Sequence, residues 1–311
     1  MNKRSFSSDP SMYAKAPSGK GHKNIILNVL LIFFIALMIF SAVMLSVMYM
    51  KYRKCGRFYD SMVSDYVSVN DGAGTGDLSS GIDETNGGSG ADEGSQDDTS
   101  AEKNDPKGTG SANEPDRRIY GPMTGEKLPV NVDFKRLQEL NGDIVGWLYC
   151  PDTTINYPVV QGNDNNKYLH ILFDGRYGVS GTIFMDYRNE SDLTDTNTII
   201  YGHHMKDGSM FRGISDYKEA GYYRKHKYFY FLTPDVSYRL AVLGGYTTES
   251  TSDSYTRVFS SDYGVKDFLR MIKTNSDFKT DVDIYEMSHV ITLSTCAYDF
   301  KDARYVLHLG Y

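Results

Sequence analysis

The sequence predicts a mainly β domain with peripheral helices, an eight-stranded β-barrel carried behind an N-terminal membrane helix. Three observations predict it. Strand-like runs rich in apolar and β-branched residues occupy 144–150, 155–160, 181–186, 196–201, 228–233, 238–246, 289–296 and 303–310, separated by Gly, Asp, Asn and Pro turns. One helical face, Val265, Phe268, Leu269 and Ile272, lies between the sixth and seventh runs. Residues 25–50 contain no Asp, Glu, Lys or Arg.

From the N-terminus, residues 1–24 read as a short basic tail, with Lys3, Arg4, Lys15, Lys20 and Lys23 against Asp9. The uncharged segment 25–50 reaches roughly 39 Å as a helix, more than the ~30 Å hydrocarbon core, so it is expected to span a membrane. A cleaved signal peptide is disfavoured, because the run is too long and no small-x-small site follows it. The far flank is also basic (Lys51, Arg53, Lys54, Arg57), so charge orients the span only slightly. The bulk of the chain follows the span, and long domains translocate largely regardless of charge, which argues for a cytoplasmic N-terminus and a domain outside the cell.

Residues 51–119 are expected to form a juxtamembrane segment and a disordered acidic linker. Between 71 and 116 there is no aromatic residue and no Val, and twelve acidic residues stand against two basic ones. Such a segment cannot bury enough apolar surface to offset its ordering entropy. It carries −10 of a chain total of −7, so overall acidity says nothing about the folded domain's partner. A fragment beginning near Tyr120 is expected to fold without it. The remaining residues, 120–311, suit one domain. It opens with a short helix over 132–140, stopped by Asn141-Gly142, and holds another over 210–217 that packs Phe211 and Ile214.

The chain has three cysteines, Cys55, Cys150 and Cys296. An odd, sparse set in an exported chain implies at least one free thiol rather than a disulfide framework. Cys150 reads as a small buried hydrophobe at a strand end, and Cys55 lies at the membrane edge. Cys296 ends the run Val290-Ile291-Thr292-Leu293-Ser294-Thr295-Cys296, His203 follows the run ending Tyr201-Gly202, and Arg304 begins the last run. Thiol, imidazole and guanidinium at the ends of neighbouring strands can form a nucleophile, its proton partner and a fixed cation. Adjacent strand residues face opposite ways, so only one of His203 and His204 can face the thiol, and the two cannot easily chelate one ion. No metal, no cofactor and no nucleic-acid partner is expected.

Those motifs are where the chain resembles a known family. Thr292-Leu293-Ser294-Thr295-Cys296 with Arg304, and Tyr201-Gly202-His203-His204-Met205 followed by Asp207-Gly208-Ser209-Met210-Phe211, resemble a class B sortase, a membrane-anchored cysteine transpeptidase of Gram-positive bacteria. The likeness continues through Val145-Gly146-Trp147-Leu148, Ile155-Asn156-Tyr157-Pro158-Val159-Val160-Gln161-Gly162 and 181–189, and covers about residues 130–311. It implies a sortase-type barrel with an N-terminal helix and a helix between strands six and seven. It also implies that Cys296 forms a thioester with the threonine of a C-terminal sorting signal, and that the protein is then transferred to a cell-wall precursor amine. The catalytic histidine of the family follows the glycine directly, which selects His203. Ser294, Tyr201, Asn156, Val160 and Tyr255 match positions lining the sorting-signal groove. The interval 297–303 is short compared with some class B members, so a tight last loop is expected. Alternatives are a pilin-polymerising sortase with a lysine acceptor and a tethered barrel that only binds peptide. A papain-like peptidase would place Cys before His, on a helix start.

Overall fold

The structure, a computed structural model, describes residues 20–70, 120–124 and 127–311. The expected linker 71–116 and the tail up to residue 19 lie outside the described residues. Two compact units are distinguished, divided between Arg53 and Lys54.

Helix α1 runs Lys20–Tyr66. Between Ile25 and Met50 its apolar side chains are exposed on every side, as in a helix whose solvent is lipid. The helix does not stop where the apolar run stops. It continues for four more turns, and there Cys55, Tyr59 and Met62 are buried. Residues 51–66, in the expected juxtamembrane segment, are thus an amphipathic extension of the helix, one face of which packs within the second unit.

After α1 come β1 (Val67–Val69), β2 (Gly121–Pro122) and β3 (Val130–Val132); β1 pairs antiparallel with β3. Helix α2 (Phe134–Leu140) is capped by Asp133, whose carboxylate accepts the backbone N–H of Arg136. That cap moves the helix start two residues past the expected 132. Then follow β4 (Ile144–Tyr149), β5 (Asn156–Gln161), β6 (Ile183–Met185), β7 (Asn197–Tyr201), α3 (Tyr222–Lys225), β8 (Tyr228–Leu232), β9 (Ser237–Glu249), α4 (Asp262–Asn275), β10 (Val290–Cys296) and β11 (Ala303–Gly310). Each of the eight expected strands is present. The segment expected as a helix over 210–217 is a 3-10 helix, Phe211–Lys218, with Phe211 and Ile214 fully buried.

The strand order is β11-β10-β7-β6-β5-β4-β8-β9, and β9 pairs back onto β11, which closes an eight-stranded mixed barrel; β2 adds to β9 outside the closure. The core holds Trp147, Leu148, Val159, Val160, Ile183 and Ile200, each fully or almost fully removed from solvent. Helix α4 covers the barrel with Phe268, Leu269 and Ile272 against Ala241, Leu243 and Val290. Its start is fixed by Ser261, which accepts the Gly264 N–H.

Candidate active site

Topology brings the reactive residues to one rim. β7 and β10 are parallel neighbours, with Ser294 opposite Tyr201, so both strands end at the same edge of the barrel. Their ends are tied by Gly202 N–H to Ser294 O (3.1 Å) and Thr295 Oγ1 to Gly202 O (2.8 Å). Gly202 is required there: a Cβ would come within 2.5 Å of Ile183 Cδ1 and 2.6 Å of Phe211 Cγ. β11 runs antiparallel to β10 and places Arg304 directly opposite Cys296. Directly opposed residues share a sheet face, so thiol and guanidinium project to the same side.

Cys296, His203 and Arg304 line one cleft of about 330 Å³, together with Tyr201, Tyr255, Ser294, Asn165, Leu169 and Arg188 among others. All three cysteines are free. Cys150 is fully buried, and burial pushes its thiol up to about 12, so it stays protonated and unreactive. Cys296 is the cysteine that opens to the cleft.

His203 is held by its ring. Nε2 lies 2.7 Å from the Leu169 carbonyl oxygen. A carbonyl can only accept, so in the neutral ring Nε2 carries the hydrogen and Nδ1 is left to exchange a proton. Burial pushes the His203 pKa below the ordinary value; the Leu169 carbonyl pulls it up and the neighbouring His170 pushes it further down. His170 stacks on His203 at 5.6 Å, a contact with no mark in the sequence. His204 is not among the cleft residues; it bridges to Met210 and meets Tyr298 edge-on at 5.4 Å.

Three of the five expected substrate contacts line the cleft as one assembly. Tyr255 OH and Ser294 Oγ are 2.8 Å apart, and the Tyr255 and Tyr201 rings stack at 6.4 Å. Tyr201 OH donates to Asp186 Oδ2 (3.0 Å). The segment carrying Tyr255 is clamped from below: Asn197 Nδ2 donates to Ser254 O (3.1 Å) and Thr256 O (2.8 Å). The other two expected contacts do not line this cleft. Val160 is fully buried in the core between β4 and β6, and Asn156 spends its side-chain oxygen on Trp147 Nε1 at 2.7 Å. Their strand begins and runs through the barrel wall rather than along the cleft.

Asp186, Arg188 and Asn165 were not singled out by sequence reasoning, although Asp186 and Arg188 lie within the family-like run 181–189. Asp186 is fully buried and receives Arg188 through its backbone N–H (3.0 Å), Nε (2.9 Å) and Nη2 (2.8 Å), and Asn165 Nδ2 (3.0 Å). Burial alone would raise its pKa, but the Arg188 hydrogen bonds outweigh burial and hold it down at about 2. The signal available in the sequence was the Asp186-x-Arg188 spacing.

The Sortase domain family model matches residues 148–309, more than half of the chain. The chain belongs to the sortase family. It is 39% identical over 188 residues to sortase B of Staphylococcus aureus, covering 60% of this chain and 77% of that relative. The solved Staphylococcus aureus sortase B–substrate complex superposes with a TM-score of 0.54 at 36% identity, covering 57% of this chain and 83% of that one. Sortase B from Bacillus anthracis superposes with a TM-score of 0.53 at 39% identity, covering 62% and 90%. The sortase B likeness read from the motifs holds, and with it the barrel. The chain is a cysteine transpeptidase whose substrate is a peptide. The cleft is the concave feature in which a thiol, an imidazole and a guanidinium meet, and a bound peptide carbonyl there would have a nucleophile, a proton carrier and a hydrogen-bond donor beside it.

Proposed function

We propose that this sortase cuts a C-terminal sorting signal after threonine at Cys296 and joins the released carboxyl group to an amine of a cell-wall precursor. The observation that carries the reading is the rim on which the parallel ends of β7 and β10 and the start of β11 place His203, Cys296 and Arg304 in one cleft. The Cys296 thiol gives its proton to His203, and the sulfur attacks the threonine carbonyl carbon. Arg304, always charged, donates hydrogen bonds to the oxyanion. The C–N bond breaks, His203 returns the proton to the departing amine, and a thioester remains on Cys296. The acceptor amine then attacks the thioester, His203 takes its proton, and the thiolate leaves. Low proton affinity in the buried imidazole suits this repeated hand-over. Tyr201, Tyr255 and Ser294 wall the groove in which the signal peptide lies.

In this reading residues 25–50 anchor the enzyme in the cell membrane with the N-terminus inside, 71–116 is a tether, and the catalytic domain 120–311 works outside with the α1 extension. The test is to incubate the full chain in micelles with fluorogenic sorting peptides and a panel of amines. Amide products with wall-type amines support the reading. Product only with a lysine side chain of a pilin would replace the acceptor, and peptide binding without any cleavage would overturn the enzyme assignment.

A further inference from the structure

The catalytic role of His203 depends on its orientation, and two supports set that orientation. The first holds the ring. The Leu169 carbonyl that accepts from Nε2 is itself packed under Gly181, where a Cβ would lie 2.5 Å from Leu169 O and 2.3 Å from Tyr168 O. The next residue, Thr182, bonds through its N–H to Tyr168 O (3.0 Å) and through its hydroxyl to Ile171 O (2.8 Å). The second support holds the backbone. His203 O accepts the Phe211 N–H at 2.9 Å, and the preceding Met210 sits at φ 56, ψ −135, a conformation that ordinarily needs glycine. The Met210 N–H donates to Tyr157 OH at 3.0 Å.

Tyr59, in the extension of α1, touches both supports. Its hydroxyl donates to Gly181 O at 2.5 Å and lies 3.1 Å from Thr182 Oγ1. Its ring meets the Tyr157 ring edge-on at 5.5 Å and 86°. Tyr59 is 5% exposed, and Cys55 and Met62, four residues before it and three after on the same helix face, are buried with it.

We propose that Tyr59 is a positioning residue for His203: by bracing Gly181-Thr182 and Tyr157 together, the domain-side end of the N-terminal helix keeps the imidazole in the tautomer and place that proton transfer needs. This rests on His203 being the acid–base residue. It also revises the expectation for a fragment beginning at Tyr120. Such a fragment lacks the brace and turns over slowly even where it folds.

The test compares four variants of the full chain in micelles. Tyr59→Phe removes only the hydroxyl. Tyr311→Phe removes another tyrosine hydroxyl that bonds a backbone carbonyl, Leu193 O at 2.8 Å near the opposite end of β11, and serves as the control for loss of a hydrogen bond away from His203. Expected for Tyr59→Phe are a fall in kcat of about 5-fold, the worth of one hydrogen bond, a KM within 2-fold of the parent, and long-range ¹H–¹⁵N spectra in which the neutral His203 ring shows an added Nδ1–H population. Tyr311→Phe keeps kcat and the parent tautomer. If Tyr59→Phe does not fold, Thr182→Val weakens the brace from the barrel side, removing the hydroxyl that meets Tyr59 OH and bonds Ile171 O while Gly181 O keeps its Tyr59 bond, and the same tautomer change with a fall in kcat in the same direction is expected. Unchanged kcat and an unchanged tautomer in the folded brace variant overturn the proposal, as does an equal loss in Tyr311→Phe. His203→Ala separates the two layers: activity surviving in it defeats the reading of His203, whereas an inactive His203→Ala beside a normal Tyr59→Phe defeats this inference alone.

Discussion

Asp186→Asn tests whether the cleft wall is a stressed assembly or a passive surface. Five hydrogen-bond donors converge on the Asp186 carboxylate, two on Oδ1 (Arg188 N–H and Nε) and three on Oδ2 (Arg188 Nη2, Asn165 Nδ2 and Tyr201 OH). Asparagine is nearly the same size but replaces one oxygen with an NH₂ group. Whichever way the amide turns, at least two donors then face a donor. Hydrogen bonds to a charged group contribute about 1.5–3 kcal/mol each. The Arg188 side chain is 45% exposed, so water can take up part of what it loses. A net destabilisation of about 2–4 kcal/mol follows, which for a domain of this size lowers Tm by about 4–16 °C. The functional effect is specific. Tyr201 loses its anchor and the stacked Tyr255 its platform, so KM for the sorting peptide rises by about tenfold while kcat falls less. Differential scanning calorimetry and steady-state peptide cleavage measure the two. A variant whose Tm moves by less than about 2 °C with KM unchanged would refute the reasoning, because it would mean that the convergence on Asp186 carries neither stability nor substrate binding.

Two further outcomes follow from the same geometry. Arg304→Lys keeps the positive charge opposite Cys296 but loses the planar fork of donors, so peptide turnover falls on the order of 10²-fold or more with the fold intact; near-normal turnover would reduce Arg304 to a surface charge. His308 is fully buried between Thr292 Oγ1 (2.9 Å) and Tyr246 OH (3.2 Å), and burial holds its pKa at about 3, below the value near 6.5 of the unfolded chain. Between those values the unfolded chain binds the extra proton, so stability contributed by neutral His308 is present above pH ~6.5 and is lost as pH falls toward 3. From pH 6.5 to 4.5 the wild type should lose about 2 kcal/mol more than His308→Gln in urea unfolding, and parallel pH dependences would contradict this.

Much of the molecule was legible because its barrel strands are short, apolar and separated by turn residues, so each run carries its own signal. Val290–Cys296 and Ala303–Gly310 were readable from β-branched and apolar residues alone. What escaped depends on partners far along the chain. Val67–Val69 and Val130–Val132 are three-residue strands that exist because each pairs with the other. The α1 extension was lost for a different reason. Its basic and polar residues end the apolar run that marks a membrane span, while Cys55, Tyr59 and Met62 recur at helical spacing only on one face, and the partners of the Tyr59 hydroxyl lie more than a hundred residues away. The thiol, imidazole and guanidinium were visible as strand-end residues. A motif match does not say which face of β5 looks outward: Val160 looks into the core and Asn156 bonds Trp147, so neither lines the cleft that holds Cys296.

The central claim is that Cys296 carries the acyl group. The most direct measurement is mass spectrometry of the full chain, mixed with a sorting peptide in the absence of any amine, quenched in acid and digested. The account predicts an added mass, equal to the peptide up to its threonine, on the fragment containing Cys296, absent from Cys296→Ala and from His203→Ala. An acyl adduct on Cys150 or Cys55, or peptide cleavage continuing at the parent rate in Cys296→Ala, would contradict it.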